Sequence, residues 1–367
     1  MAVGHSSVRF SARVSGASRV RIRGLLSLAL VIGLGLSTAG CVPEKVTPSP
    51  RSSPIPGSSP IPTSSPSTPP TSIAPLRGTT VPAGSLGHAS IAAKIDNLPA
   101  ARPQVGLEST DLVYQELVEG GLTRYVAVWQ STIPPLLGPV RSIRPMDPDI
   151  VSPLGGIICY SGGQQRFVDL MRRAPVYNAV HGQADTAKTF FRTPNRSAPH
   201  NVLVKAEELL AQHASITAPA QQFEYSADPS SSTAATAGTP TAAVNYAFSG
   251  ATTGSWTWDA SRSVFLRSQG TGPDLDGAGA QLSATNVIVM RVTVTVDQGV
   301  PKTNLIGSGE GWISSGGRTV HATWSKATAT DAIHLADDAG AATRLAAGNT
   351  WIELVPSAGS VSVVAPG

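Results

Sequence analysis

Apolar positions are distributed very unevenly along the chain. Residues 25–36 form one continuous apolar run, whereas residues 42–84 are dominated by Pro, Ser and Thr and have no periodic apolar pattern. From about residue 88 onwards, short apolar or alternating runs recur between stretches that contain Gly, Pro, Asn or Asp. Such spacing is typical of strands joined by turns. The pattern therefore predicts that folded structure starts near residue 88.

The first folded part, residues 88–218, mixes strand and helix patterns. Residues 110–131 contain two β runs on either side of Glu-Gly-Gly, which predicts a hairpin. In the stretch GQQRFVDLMRRAP, the side chains of Phe167, Leu170 and Met171 have the spacing of one helix face. We therefore expect a mixed α/β domain here.

The second folded part, residues 242–364, has an almost entirely β pattern. Its runs, such as TNVIVMRVTVTV and TWIELVP, are alternating or β-branched and are separated by Gly- and Asp-rich stretches. We interpret GSGEGW (307–312) as a turn between strands. The stretch 219–241, rich in Ala, Ser, Thr and Pro, predicts a flexible linker. The predicted fold class is α+β: a mixed α/β N-terminal domain followed by a β-rich C-terminal domain, preceded by a disordered tether.

Charge and composition narrow the classes of partner. Only 14% of the 367 residues are charged, and the chain contains 36 Gly and 30 Pro, which agrees with a fold of strands and loops. The formal net charge of +4 arises in residues 1–40, which contain five Arg and no acidic residue. Removing these five from the 27 Lys and Arg leaves 22 basic against 23 acidic side chains. The folded part therefore has no basic field that would indicate a nucleic-acid partner.

The N-terminal residues have the pattern of an export signal. Arginines precede the apolar run 25–36, and small residues follow it up to Cys41. Thr38-Ala-Gly-Cys41 resembles a bacterial lipobox, with Thr38 in place of the usual Leu. The resemblance implies a signal peptide over residues 1–40 and lipid attachment at Cys41, on the outer face of the cytoplasmic membrane. An uncleaved membrane anchor and an ordinary secreted protein are the alternatives.

The stretch after Cys41 predicts a tether. Residues 41–87 form a Pro/Ser/Thr-rich, lipid-anchored linker that we expect to be disordered, and in an extended conformation it would reach about 100 Å or more. Cys159 is the only other cysteine, so acylation of Cys41 would leave no partner for an internal disulfide. Because Cys159 lies in an apolar run, we expect a buried, unreactive thiol.

Three stretches of the first folded part concentrate polar side chains, and each contains Gly or Pro, which favours loops beside strand ends. Their charged and polar members are Glu116, Glu119 and Arg124; Arg141, Arg144 and Asp147; and Arg192, Arg196, His200 and Asn201.

These residue types favour an anion site. Arginine offers a fixed fork of donors that suits phosphate or carboxylate, so the five arginines together with Asn201 are candidate ligand-binding residues. His200 is a candidate acid or base, with Glu116, Glu119 and Asp147 as candidate catalytic or pocket carboxylates. Alternatively, the arginines hold irregular loops by capping carbonyls and pairing with these carboxylates. No motif indicates a metal or an organic cofactor.

Several motifs resemble the YerB-like bacterial lipoproteins, a family defined by two adjoining domains of unknown function. They are IDNLPAARPQVGLESTDLVYQELVEGGLTRYVAVWQS, GPVRSIRP and RSAPHNVLV in the first part, and YAFSGATTGSWTWDASRSVFLR, LSATNVIVM, GSGEGW, TWSKA and AGNTWIELVP in the second. The resemblance spans about residues 88–357. It implies an envelope-anchored lipoprotein with a mixed α/β first domain and a β-rich second domain, and it implies no particular reaction.

Anchor, tether and arginine-rich loops together favour a binding function outside the membrane. The favoured hypothesis is a non-catalytic binding or assembly factor that recognises an anionic cell-wall component, such as peptidoglycan or another envelope glycan, or a cell-wall synthesis protein. The alternative is an enzyme that acts on a phosphate-bearing envelope glycan or a lipid-linked precursor, with His200 moving a proton.

Overall fold

Strands are the commonest regular element in the part of the chain that the computed structural model describes, residues 69–367. The predicted signal peptide, Cys41 and the greater part of the predicted tether lie outside these residues. Within 69–367, no helix is long and apolar enough to cross a membrane.

The N-terminal half contributes ten strands and three α-helices. The strands are β1 (Thr71–Ile73), β2 (Thr80–Pro82), β3 (Ile91–Asp96), β4 (Leu112–Leu117), β5 (Thr123–Trp129), β6 (Leu136–Leu137), β7 (Ile157–Tyr160), β8 (Tyr177–Val180), β9 (Phe190–Arg192) and β10 (Val202–Lys205). The helices are α1 (Asp147–Val151), α2 (Gln165–Arg173) and α3 (Ala206–Gln212).

The C-terminal half contributes fourteen strands and a fourth helix, α4 (Thr233–Ala237). The strands are β11 (Thr239–Pro240), β12 (Ala243–Ser249), β13 (Thr252–Asp259), β14 (Val264–Gln269), β15 (Gly272–Pro273), β16 (Ser283–Ala284), β17 (Asn286–Val292), β18 (Val294–Asp297), β19 (Val300–Thr303), β20 (Gly307–Ser315), β21 (Arg318–Lys326), β22 (His334–Asp337), β23 (Thr350–Pro356) and β24 (Ser360–Val364). Short 3₁₀ helices lie at Pro99–Ala101, Leu107–Ser109, Glu119–Gly121, Ser152–Leu154 and Pro229–Ser231.

One eleven-stranded sheet contains strands from both halves. Its order is β11-β21-β20-β17-β23-β4-β5-β3-β7-β8, with β22 paired to β21. The halves join where β23 runs parallel to β4, with Thr350 opposite Leu112 and Glu353 opposite Gln115. A six-stranded sheet of order β15-β14-β13-β12-β24, with β16 paired to β14, comes from the C-terminal half. The architecture is α+β and mostly β.

Both faces of the large sheet are buried. Along β3 and β5, Ala92 and Val126 belong to a core that includes residues of α1 and α2. Ala93 and Ala127 belong to a second core, which includes Trp256 and other residues of the six-stranded sheet. Strands covered on both faces lose the exposed alternate positions of a half-buried strand, and all six residues of β3 are buried accordingly.

The predicted hairpin is present, and the predicted helix differs in the face that it buries. β4 and β5 pair antiparallel around Glu119–Gly121. In α2, Phe167, Val168 and Met171 are buried, whereas Leu170 is 37% exposed. At 100° per residue, Leu170 lies well away from the stripe formed by the other three, so its assignment to the buried face was wrong.

Two predicted segment limits and one predicted turn need correction. Folded structure begins before residue 88, because Ala74 and Leu76 are fully buried. Residues 219–241 contain α4 and β11, and Ala234 is buried, while their flexibility stays a prediction. GSGEGW is not a turn but lies in β20, which pairs with both β17 and β21.

Candidate functional site

Charged side chains collect at one edge of the large sheet, where β3, β4 and β7 end and β5 begins. In the strand register, Arg124 lies opposite both Asp96 and Glu116. Successive side chains of a strand point to opposite faces, so Lys94, Asp96, Glu116 and Arg124 share the face that also carries Ala92 and Val126. This face is covered by α1 and α2.

The stretch GPVRSIRPMDP (138–148) passes along the same edge in irregular conformation until α1 begins at Asp147. The Arg141 N–H donates to the Lys94 carbonyl (2.8 Å) and the Ser161 N–H donates to the Arg141 carbonyl (3.0 Å). The Ile143 N–H donates to the carbonyl of Gly162 (3.1 Å). Backbone contacts therefore hold this loop between the ends of β3 and β7.

A buried ion triad anchors the loop. The Lys94 ammonium contacts the carboxylates of Glu116 and Asp147, the latter with Nζ to Oδ1 at 2.7 Å, and all three residues are fully buried. Asp147 Oδ2 also accepts a hydrogen bond from the Arg144 N–H (2.6 Å). Burial lowers the pKa of Lys94 to about 8, although Asp147 raises it. Glu116 and Asp147 thus act beneath the surface, and we revise their predicted pocket role to an anchoring one.

Three guanidinium groups converge above the triad. Arg124 Nη1 donates to the Ser142 carbonyl at 2.6 Å, and Arg144 Nη1 donates to the same oxygen at 3.3 Å. Burial first, and then the charges of Arg144 and Arg141, lower the pKa of Arg124 to about 10. Arg124 is only 5% exposed, and its Nε has no acceptor within residues 69–367. Positive charges and N–H groups without acceptors are therefore concentrated around the Ser142 carbonyl.

Asp96 joins the loop that carries Arg141 to the loop that carries His200. Its Oδ2 lies 2.6 Å from His200 Nδ1 and 3.1 Å from Arg141 Nε. Arg141 Nη1 also donates to the Pro199 carbonyl (3.3 Å). The stretches GPVRSIRPMDP and RSAPHN therefore meet through a residue that sequence reasoning missed. We call Arg124, Arg141 and Arg144, with Asp96, Glu119 and His200, the guanidinium cluster.

Glu119 closes the exposed side of the cluster. Its Oε2 accepts a hydrogen bond from Arg144 Nε (2.8 Å), and its side chain is 39% exposed. Partial burial opposes ionisation, but the Arg144 hydrogen bond and charge hold the pKa of Glu119 below its ordinary value. Asp96 contacts His200 directly and is therefore better placed than Glu119 to assist it.

Charge within this region is nearly balanced. The positive groups are Lys94, Arg124, Arg141 and Arg144, and the negative groups are Asp96, Glu116, Glu119 and Asp147. With neutral His200 the region has no net charge. Any affinity for an anion must therefore come from unused N–H groups: the Nη2 atoms of the three arginines have no acceptor in the part of the chain that is described.

Three of the predicted ligand-binding residues make other contacts. Arg196 donates through both η nitrogens to the carbonyls of Ala101 and Pro103. Arg192 donates to Asn201 Oδ1 (2.8 Å), and Asn201 is itself buried. The Arg196 contacts match the carbonyl-capping alternative, and so in part do the bonds of the three cluster arginines to backbone carbonyls and of Arg144 to Glu119. The structure does not bring Arg192, Arg196 and Asn201 to the free donors of the cluster.

Lys94 and Asp96 were missed because they lie inside an apolar strand. The signal was present in IAAKIDN, where two charges interrupt the run at a spacing of two residues and therefore point to one face. No group of three or more His, Cys, Asp or Glu within 69–367 is arranged to hold a metal ion. Cys159 is fully buried in β7, and burial raises the pKa of its thiol.

Comparisons with known proteins identify the family. The N-terminal domain model of a protein of unknown function, DUF3048, matches residues 76–218, and the corresponding C-terminal domain model matches residues 242–352. A Bacillus subtilis (strain 168) protein named "Putative lipoprotein YerB" is 42% identical over 71 residues, 19% of this chain and 22% of that protein. This match thus spans about a fifth of the relative's length.

A solved structure shares the fold. The crystal structure of the YerB protein from Bacillus subtilis superposes with a TM-score of 0.68 at 22% identity, covering 79% of this chain and 99% of that one. Matches to both domain models, in the same order along the chain, cover most of the described residues. The chain therefore belongs to the DUF3048 family.

Proposed function

We propose that this protein is a lipid-anchored protein of the bacterial cell envelope that binds an anionic, phosphate-bearing wall component through the guanidinium cluster. The lipobox resemblance at Cys41, the Pro/Ser/Thr-rich stretch after it and a relative named as a lipoprotein support the anchor. Two acyl chains hold a soluble domain at a membrane much more firmly than one. The folded part would then meet its ligand outside the membrane.

The observation that carries the proposal is the unmet donor capacity of three neighbouring arginines. Arg124, Arg141 and Arg144 approach one another although their charges repel, and each has an Nη2 group without an acceptor among residues 69–367. A tetrahedral phosphate accepts several such N–H groups at once and offsets the repulsion. A carboxylate offers fewer oxygens to donors that arrive from three directions.

The balance of charges predicts how such a ligand would bind. Because four acidic groups neutralise the four basic ones, long-range attraction is small and short hydrogen bonds dominate. We therefore expect weak to moderate affinity and high sensitivity to the loss of a single guanidinium. A hydrogen bond to a charged group contributes about 1.5–3 kcal/mol, which corresponds to roughly tenfold or more in affinity.

Isothermal titration of the full-length protein with inorganic phosphate and pyrophosphate tests this proposal. Arg141→Ala and Arg144→Ala should each weaken binding at least about tenfold. Arg173→Ala, an exposed arginine of α2 without an ion pair in the described structure, is the matched control and should bind as the wild type does. Absence of phosphate binding by the wild type, or equal binding by all four proteins, would overturn the proposal.

A wall-synthesis protein is the other partner considered for the same surface. Crosslinking in intact cells followed by mass spectrometry separates the two. Recovery of phosphate-bearing glycan that depends on Arg144 supports the proposal, whereas recovery of a protein that is lost in Arg144→Ala cells contradicts it.

One observation favours an enzyme as the second candidate. Asp96 holds His200 Nδ1 at 2.6 Å, which favours the tautomer with a proton on Nδ1 and leaves Nε2 as an acceptor. An Asp–His pair beside unused guanidinium donors has the parts needed to activate water and stabilise a phosphoryl group. Hydrolysis of bis(p-nitrophenyl) phosphate that is abolished in His200→Gln, with phosphate binding retained, would establish this alternative. A wild-type protein without turnover would exclude it for this substrate.

A further inference from the structure

A second recess lies on the opposite side of the Asp96–Asn97 strand end. It is a cleft of about 510 Å³ between Arg102 and Pro103 on one wall and the loop 273–279 on the other, with Gln269 also in its lining. Residues of both matched family domains therefore form it. Its volume lies within the range of small-molecule sites, which often occur where two such parts meet.

The lining at Gln269 is held rigidly. Gln269 Oε1 accepts hydrogen bonds from Asn97 Nδ2 (3.0 Å), the Tyr125 hydroxyl (3.2 Å) and Arg267 Nη1 (3.3 Å). Gln269 Nε2 donates to Asn97 Oδ1 (3.1 Å). With all of these bonds made, Gln269 needs no reordering when a ligand binds, which keeps this part of the ordering cost small.

Two nearly buried carboxylates each present one unused oxygen. Asp274 and Asp276 are both 3% exposed and line the cleft. Asp274 Oδ2 accepts from Arg267, and Asp276 Oδ1 accepts from the backbone N–H groups of Ala278 (2.8 Å) and Ala280 (3.0 Å). The other oxygens, Asp274 Oδ1 and Asp276 Oδ2, have no donor within residues 69–367 and are not enclosed by protein atoms. Because both residues line the cleft, we take these two oxygens as the acceptors that the cleft offers.

The charges of the cleft favour a neutral ligand over a cation. Arg267 pairs with Asp274, and Arg102 adds a second positive charge to the lining that carries Asp276. Arg102 uses Nε and Nη2 on Asn97 (3.2 and 2.7 Å), so its Nη1 is left as a donor. Leu275, 39% exposed, adds an apolar surface.

We propose that this cleft is a second binding site, for a neutral, hydroxyl-rich ligand of the glycan class. Neighbouring sugar hydroxyls donate to carboxylate oxygens and accept from a guanidinium, and the C–H face of a sugar ring packs on an apolar surface such as Leu275. The assignment uses none of the three arginines of the guanidinium cluster. The two sites differ in the charge of what they bind.

Titration of the full-length protein with the neutral tetrasaccharide of N-acetylglucosamine tests the second site, by calorimetry and by saturation-transfer NMR. Leu275→Arg places a long charged side chain at the cleft and should weaken binding at least tenfold. Val296→Arg makes the same change at a 69% exposed valine of β18, outside the cleft lining, and should bind as the wild type does. Asp276→Asn keeps the acceptor for the Ala278 and Ala280 N–H groups and should also weaken binding.

Two results would overturn the second site: a wild-type protein that does not bind the tetrasaccharide at 10 mM, or a Leu275→Arg variant that binds it as well as Val296→Arg. Putrescine serves as a cationic comparison ligand. A protein that binds putrescine but does not bind the tetrasaccharide would also contradict the proposal. Added phosphate should leave the tetrasaccharide titration unchanged. Failure of the second site is thereby distinguished from failure of the guanidinium cluster.

Discussion

Two arginine regions lie on opposite faces of β4 and β5. On one face, Arg124 and the loop 138–146 form a cluster with unused N–H groups near the surface. On the other face, Arg267 of β14 is fully enclosed beside Gln115 of β4 and Tyr125 of β5. Both regions combine guanidinium groups with carboxylates. The two regions differ in whether the N–H groups of their arginines already have acceptors within the protein.

Arg267 has nearly every donor occupied. Nη1 pairs with Asp274, Nη2 donates to Gln115 Oε1 (2.5 Å) and the Tyr246 hydroxyl (3.0 Å), and Nε lies 3.8 Å from Glu353. Its guanidinium also lies over the rings of Tyr125, Trp256 and Trp351, at 4.9–5.8 Å from their centroids. Such an arginine holds the two halves of the protein together, whereas the cluster arginines keep N–H groups that have no acceptor within residues 69–367.

The largest loss of stability is expected when the network around Arg267 is broken. Arg267→Met should lower the free energy of unfolding by about 3–5 kcal/mol, because Asp274 and Glu353 would stay buried without their partner. Urea unfolding of the full-length protein followed by circular dichroism measures the loss. Arg262→Met, at an exposed turn position between β13 and β14, is the matched control. A loss below about 1 kcal/mol would show that the network does not contribute to stability in this way.

A somewhat smaller loss of stability is expected when the buried ion triad of Lys94, Glu116 and Asp147 is broken. Lys94→Met leaves Glu116 and Asp147 buried without a cation and should cost about 3 kcal/mol. The loss stays below that of Arg267→Met because Asp147 keeps the hydrogen bond from the Arg144 N–H. The double variant Lys94→Met/Glu116→Gln should regain part of the stability. If it is no more stable than the single variant, burial of an unpaired Glu116 is not the cause.

Lys94 also predicts a dependence of stability on alkaline pH. Its folded pKa of about 8 lies below the ordinary value of 10.5, so between these values the unfolded chain binds a proton that the folded protein does not. The Lys94 contribution to the unfolding free energy should therefore rise as the pH increases from 8 to 10.5. The difference between wild type and Lys94→Met across this range measures it. A flat or falling difference would contradict the lowered pKa.

The smallest effect is expected at the exposed rim of the cluster. Glu119→Gln removes the ion pair with Arg144 and should cost less than about 1 kcal/mol, with a smaller loss at high salt. Because the folded pKa of Glu119 is lowered, the pair stabilises the protein above the ordinary pKa and is lost as the pH falls through the lowered value. A salt series of thermal unfolding measures this. A loss as large as that of Lys94→Met would place Glu119 among the anchoring groups.

Local features were accessible from the sequence, since their causes lie within a few residues. The hairpin of β4 and β5 follows from two β runs around Glu-Gly-Gly, and the existence of α2 follows from its apolar spacing. GSGEGW was misjudged for a tertiary reason. At Gly309 a Cβ would lie 2.7 Å from both Trp324 Nε1 and the Arg291 carbonyl, so the glycine permits close strand packing and does not mark a turn.

The candidate site was predictable only in part. Arg141, Arg144 and His200 were identified by residue type, and the two loops that carry them do meet. Asp96, which joins them, was hidden in a strand. Nothing local separates Arg141, which uses one η nitrogen on a carbonyl, from Arg196, which uses both. Residue type thus indicates which side chains are able to bind an anion, but hydrogen-bond partners decide which ones are free to do so.

By itself, the sequence determined the short-range properties of this protein: an anchor-like N-terminus, a Pro/Ser/Thr-rich stretch, a strand-rich α+β fold and loops that carry arginine. Tertiary structure alone decided that Lys94 pairs with Asp147, 53 residues away, and that polar residues end up on both faces of β3 to β5. The physical reason is that strand register and the covering of both sheet faces set which charges become neighbours. Neither strand register nor the covering of the sheet faces can be read from any single stretch of the sequence.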